Sequence, residues 1–155
     1  MARTQHNVQV SATPEQVWAQ LQKADIWSGL SGISAIKNAT HTGDLLTGFD
    51  FSVTIAGTAR PGRAEATKQV VNERMDLGVN QRDLDLHLSV RLEGATSATQ
   101  LSVVLQAEPK SFMLKMAWGV VVGVVEAGFP GEVEEFGKRI AAAAQLAPTY
   151  RPQVD

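Results

Sequence analysis

Few side chains in this chain can do chemistry, and they are scattered. The chain holds three histidines, His6, His41 and His87, on three separate segments. Imidazole is the natural general base and metal ligand near neutral pH. A metal site, however, needs ligands at short, fixed spacings, which these do not share, so no metal is expected. His6 has the parity of Val8 and Val10, which would turn it inward near a pocket rim as a candidate base; the alternative is an exposed residue at a strand end. His87 shares parity with Asp83, Asp85 and Arg91, a face expected in water, and His41 stands beside a turn. Lys68 keeps the parity of Ala64, Ala66 and Val70. Either its stem snorkels at a cavity mouth or its ammonium meets an acidic ligand group. The absence of cysteine excludes disulfides, thiolate catalysis and Cys-based zinc sites. No pair of acids shares an inward face, no glycine-rich loop leads from a strand into a helix, and no nucleophile elbow is present. Catalytic residues are therefore unassigned, and no cofactor is expected.

The elements that must position these groups are clearer. Val8, Val10 and Ala12 alternate with Asn7, Gln9 and Ser11 in a first strand over residues 4–12. Thr13-Pro14-Glu15-Gln16 then reads as a helix start: a capping threonine, proline at the first helical position, and glutamine where a capping box wants it. Val17, Trp18 and Leu21 supply the buried stripe. A second short helical piece over residues 24–30 carries Trp27, either as a gate or as a packing residue, and Ser31-Gly32 breaks it. A weaker strand over 33–42 ends at a Gly43-Asp44 turn. Strands follow at 49–55, 63–71, 75–79, 83–93 and 101–107, with a turn at Arg60-Pro61-Gly62, a tight connection at Asn72-Glu73 and a loop over 94–97. Asp83 to Glu93 alternates most strictly, which means one face to the core and one to water. Strands joined so tightly must be antiparallel.

An apolar helix over residues 112–129 follows. Lys115 and Glu126 fall on nearly one side and mark its outer face, so Met113, Ala117, Val120, Val124 and Ala127 face inward. Pro130-Gly131 breaks or kinks it. A second half then carries Val133, Phe136, Ile140 and Ala144 on one stripe, Pro148 ends it, and Tyr150 to Asp155 is a tail. The outer side of the first half also holds Trp118, Val122 and Phe129, with Gly119 and Gly123 at a small-xxx-small spacing. An apolar outer stripe asks for a cover, either a homodimer partner or an overhanging part of the same chain.

Composition bounds the function classes. With 155 residues, 44% hydrophobic and 19% charged, the chain is expected to be one globular domain spanning 1–155. A net charge of −2 and no run of basic residues give no electrostatic reason to bind nucleic acid. No signal-peptide pattern opens the chain, and 112–129 is too short and too interrupted to span a bilayer. A cytoplasmic location is expected.

The segment Val8-Gln9-Val10-Ser11-Ala12-Thr13-Pro14-Glu15-Gln16-Val17-Trp18, then Trp27, then Gly62-Arg63-Ala64-Glu65-Ala66-Thr67 and the hairpin over 83–107 together resemble the START / Bet v 1-like (SRPBCC) superfamily. Its polyketide cyclase/dehydrase-like branch is the best match, over residues 4–146. The resemblance implies an α+β helix-grip fold: a curved antiparallel sheet of about seven strands wrapped on a long C-terminal helix, with two short helices after strand 1. It also implies a hydrophobic cavity between sheet and helix. Such proteins bind lipids, quinones or polyketide-like molecules, some cyclise or dehydrate polyketides, and some are chaperone- or ribosome-associated interaction modules. By parity, Phe51, Val53, Met75, Leu77, Leu86, Leu88, Leu101 and Val103 face the helix, and Met113, Ala117, Val120 and Val124 face them. These residues either wall a pocket or fill a core. The small Ala64, Ala66 and Ala117 favour space, and apolar walls with few polar groups suit a small-molecule site.

Overall fold

The computed structural model describes residues 2–55, 57–94 and 97–146. Seven strands form one antiparallel sheet: β1 (Ala2–Val10), β2 (Ile33–Thr42), β3 (Leu45–Ile55), β4 (Thr58–Val70), β5 (Arg74–Gln81), β6 (Leu84–Gly94) and β7 (Thr99–Pro109). Their spatial order is β1-β7-β6-β5-β4-β3-β2, so the chain's first strand returns to pair with its last. Among the described residues three helices accompany them: α1 (Pro14–Leu21), α2 (Phe112–Met116) and α3 (Trp118–Leu146). Two single-turn 3-10 helices, Ala24–Trp27 and Leu30–Gly32, stand where one short helix is expected. This is a curved antiparallel sheet gripping a long C-terminal helix.

Local chemistry explains most of the boundaries. The Thr13 hydroxyl accepts from the Gln16 N–H at 3.1 Å and the Gln16 side chain accepts from the Thr13 N–H at 2.9 Å, closing the capping box that starts α1. Gly62 stands opposite Phe51, and a Cβ there would meet the Phe51 ring at 2.7 Å. The bare backbone lets that ring lie across β4.

Three expectations need correction. Arg60-Pro61-Gly62 is not a turn but part of β4, which begins at Thr58. Pro61 is tolerated there because β5 pairs with β4 only from Arg63 onward, so at Pro61 the strand lacks a neighbour on that side. The helix does not break at Pro130: α3 runs through it, and the interruption lies at Ala117, where α2 ends. Pro130 and Glu126 are both exposed, so water can serve the carbonyl that proline leaves without a donor. The first part of α3 is also rotated from its expected phase. Its inward stripe runs Trp118, Val121, Val125, Phe129, Val133, Phe136, Ile140 and Ala144 without a break. The continuous helix carries the stripe of its second half back into its first. Trp118, Val122 and Phe129 therefore form no outer stripe for a homodimer: Phe129 is fully buried and the other two are half-buried. Residues 95 and 96 of the expected loop, Pro148, and the expected tail from Tyr150 to Asp155 lie outside the described residues.

The core is dense where α1, the 3-10 helices and the C-terminal half of α3 meet the sheet. Trp27, Leu30, Phe49, Met75, Leu77, Leu101, Phe129, Phe136 and Ile140 are fully buried there. Among the described residues no helix is long and apolar enough to cross a membrane.

Candidate functional site

The N-terminal half of α3 meets the sheet differently. Trp118, Val121 and Val125 touch the concave side near Leu105 and Ala107, while Val120 and Val124 remain 74% and 69% exposed. Between helix and sheet lies an open cavity of about 430 Å3. β3 contributes Val53 and Thr54, β6 contributes Leu84 and Leu86, and β7 contributes Leu105 and Ala107. Leu114 of α2, Ala117 at the joint, and Trp118, Val120, Val121, Val124 and Val125 of α3 form the opposite wall, with Gly57 at the edge. Among the described residues the wall includes Thr54 and Trp118 but no charged residue. It is a volume in the small-molecule range, with apolar walls and few polar groups.

A larger depression, about 570 Å3, lies on the convex face of the sheet and is lined by Arg3, Arg74, Asp76, His87, Arg91 and neighbouring polar residues. Its most buried acid is already satisfied: Arg74 Nη2 donates to Asp76 Oδ2 at 2.8 Å and the Ser89 hydroxyl to Asp76 Oδ1 at 2.7 Å. The size of this depression reflects an open polar surface. The smaller apolar cavity is the better candidate for a ligand site.

The residues expected to wall a pocket divide in two. Val53, Leu86, Ala117, Val120 and Val124 border the cavity. Phe51, Met75, Leu77, Leu88, Leu101 and Val103 are buried in the core and do not border it. Trp27 is no gate: it is fully buried, its indole N–H donates to the Leu21 carbonyl at 3.0 Å, and its ring centroid lies 5.4 Å from that of Phe136. Met113 stands in solvent at 74% exposure, because the helix is rotated from the phase that would place it inward; Leu114 takes its place. Lys68 lies on the convex face. A bulge between Ala66 and Lys68 shifts the register, so Ala66 pairs with Leu77 but Lys68 with Asp76. One extra residue turns every later side chain to the other face.

His6 does point toward the helix, as its parity requires, but its Nε2 meets Glu134 Oε2 at 2.8 Å and it borders no part of the cavity. His41 Nε2 lies 3.1 Å from the Gln22 carbonyl, and His87 is exposed on the convex face. Leu84, Leu105 and Ala107 line the cavity without being expected to, although their alternation is visible in the sequence. Parity alone does not show which end of the sheet stays unfilled.

No protein-family model matches the chain, and no curated protein matches it by sequence. Solved structures match its shape. A protein of Thermus thermophilus superposes with a TM-score of 0.69 at 12% identity, over 92% of this chain and 99% of that one. A START superfamily protein from Mycobacterium smegmatis gives 0.57 at 16% identity, over 86% and 97%. The di-domain ARO/CYC protein StfQ from the steffimycin biosynthetic pathway gives 0.67 at 14% identity, over 94% of this chain and 52% of that one. The chain thus shares its fold, a curved antiparallel sheet gripping a long C-terminal helix, with a START superfamily protein and with an ARO/CYC protein.

Proposed function

We propose that this protein binds a small hydrophobic molecule, of lipid, quinone or polyketide-like character, in the cavity between the sheet and the N-terminal half of α3. The observation that carries this reading is the contrast in packing: about 430 Å3 of open, apolar-walled space stands next to a core that is otherwise dense. Interiors are normally packed to crystal-like density, so an apolar hollow of that size is kept at a cost in stability. Binding would draw on about 25 cal/mol for each Å2 of apolar surface removed from water, less the cost of ordering the ligand. The shape shared with a START superfamily protein and with an ARO/CYC di-domain supports the reading. Cyclase or dehydratase chemistry is less well supported. It needs a titratable group at the reacting atom, and His6 is held by Glu134 away from the cavity. A protein-interaction module built on the outer helix stripe loses one of its three large residues, since Phe129 is buried.

Two measurements test this. Native mass spectrometry of the purified protein is expected to show a co-purified hydrophobic species, and the neutral probe N-phenylnaphthylamine is expected to brighten on binding. Leu86→Trp, which pushes an indole into the hollow, is expected to abolish probe binding while the melting temperature stays within a few degrees of wild type. A wild-type protein that carries no ligand and takes up no probe would refute the proposal.

A further inference from the structure

The helical segment above the cavity carries a second apolar side, turned to solvent. Phe112, Met113, Met116, Val120 and Val124 are each between 69% and 76% exposed. Elsewhere among the described residues the exposed large apolar side chains are Val70 and Val71. Met113, Met116, Val120 and Val124 recur at spacings of three, four and four residues, the repeat of one helix side. The joint at Ala117 keeps that side continuous: the Ala117 N–H donates to the Met113 carbonyl at 3.2 Å, and the Val121 N–H to the Ala117 carbonyl at 3.1 Å. Trp118, Val121 and Val125 take the sheet-facing side. A helix apolar on both sides is normally covered on both, and a contiguous apolar stripe marks an interaction surface.

Charge indicates what covers it. Residues 109–125 include Lys110 and Lys115 and no acid; Glu108 and Glu126 bound the segment. Lys110 is engaged by Asp85 at 3.4 Å. Lys115 is exposed between Met113 and Met116 and pairs with no acid among the described residues. Arg82, in the β5–β6 turn, is likewise exposed and unpaired among the described residues. The next residue in that turn, Asp83, accepts at its carbonyl from the Lys110 N–H at 2.7 Å and the Ser111 N–H at 3.3 Å. The turn is thereby tied to the start of α2, which brings Arg82 to the same end of the molecule as the stripe. A second copy seated here about a two-fold axis would meet the same cations and no free acid within the segment. An anionic lipid surface meets both features, with acyl chains for the stripe and head groups for the cations, and a long lysine stem can lie along apolar surface while its ammonium reaches the head groups. We infer that α2 and the N-terminal half of α3 are a docking face for an anionic lipid bilayer, lying in its interface rather than crossing it. Val120 and Val124 belong both to the stripe and to the cavity wall, so the bilayer lies against the mouth of the cavity. The docking stands on the stripe and its cations alone; passage of a ligand through the same face rests on the hydrophobic-ligand reading above.

The test sediments the protein with vesicles of phosphatidylcholine and with vesicles of an equal mixture of phosphatidylcholine and phosphatidylglycerol. Wild type is expected to bind the mixed vesicles about tenfold more tightly or better, the worth of two cations at a negative surface, and to lose that preference as salt rises. Met113→Glu combined with Met116→Glu is expected to abolish binding to both. Its melting temperature and its uptake of N-phenylnaphthylamine in the absence of vesicles should stay as in wild type, since both methionines are exposed and neither borders the cavity. Arg82→Gln combined with Lys115→Gln is expected to erase only the preference for the anionic lipid. Wild type that stays in solution with both vesicles, or a double-glutamate variant that binds as wild type does, overturns the inference. A dimer in light scattering that the glutamates dissociate, without vesicle binding, overturns it in favour of a second copy. Vesicle binding by a protein that takes up no N-phenylnaphthylamine overturns the cavity reading and leaves the docking face standing.

Discussion

The two halves of α3 lie over the same sheet, yet one half fills the space beneath it and the other does not. The C-terminal half sends down Phe129, Val133, Phe136 and Ile140, all fully buried, and Phe136 packs on Trp27. The N-terminal half presents Trp118, Val120, Val121, Val124 and Val125, with Ala117 at the joint, toward leucines and an alanine. Valine is too short to reach across. The filled half is also backed by α1 and the 3-10 helices, with Arg139 donating to the carbonyls of Ile26 and Ser28. The hollow is thus a consequence of side-chain volume on a shared backbone. Dense packing is concentrated at one end of the grip and open apolar space at the other.

Truncations placed on either side of this boundary should differ most. Phe136→Ala is expected to cost about 3–5 kcal/mol, because a fully buried ring packed against Trp27 leaves a cavity that its neighbours cannot close. Val124→Ala, at a residue 69% exposed, is expected to change stability by about 0.5 kcal/mol or less. Urea denaturation of both variants checks the contrast. Comparable losses at the two sites would mean that the N-terminal half of α3 packs as tightly as the rest.

The sequence reveals this asymmetry only in part. The capping box at Thr13 and Gln16 and the alternation over β6 and β7 are local patterns, and local patterns survive into the fold. Even the weakly patterned β2 runs over Ile33–Thr42 as expected. Two features defeat local reading. Lys68 is misplaced because the bulge after Ala66 is set by pairing with β5, which the β4 residues do not announce. The α3 phase is misjudged because Pro130 suggests a break, so Lys115 and Glu126 orient the first half on their own. Extending the stripe of Val133, Phe136 and Ile140 backward places Phe129, Val125 and Trp118 inward. The location of the cavity is harder still. Leu86 and Leu88 share parity and chemistry, and only their three-dimensional neighbours decide that one borders empty space and the other does not.

The hollow half is also the weaker helix. It is rich in valine, which loses rotamer freedom in a helix, and it carries glycines at 119 and 123 where a Cβ would meet nothing within 4 Å. Gly123→Ala is expected to stabilise the protein by about 0.5–1 kcal/mol and to slow amide exchange in the N-terminal half of α3. Because no neighbour must move, a destabilising result would show that this face is covered after all. Faster ligand exchange in wild type than in the variant would tie the looseness of this half to entry into the cavity.

The convex face gives the mildest contrast, between a polar surface and the apolar hollow behind it. Burial alone would push the Asp76 carboxyl up; hydrogen bonds from Arg74 and Ser89, with the nearby charges of Arg74 and Arg91, outweigh it and hold the group below the usual carboxylate range. A carboxyl whose folded pKa lies below its unfolded value near 3.8 stabilises the fold fully above that value, and this contribution fades as pH falls through the folded pKa. Wild type is therefore expected to lose stability more steeply than Asp76→Asn as pH drops below about 4, the curves running parallel at neutral pH. The difference should be small, since the pair is partly open to solvent and salt screens it. Probe binding in the cavity should not follow the same acid limb at all, because no titratable side chain among the described residues lines that wall. A cavity affinity that moved with Asp76 would mean that the two faces of the sheet are coupled through the β5–β6 pair.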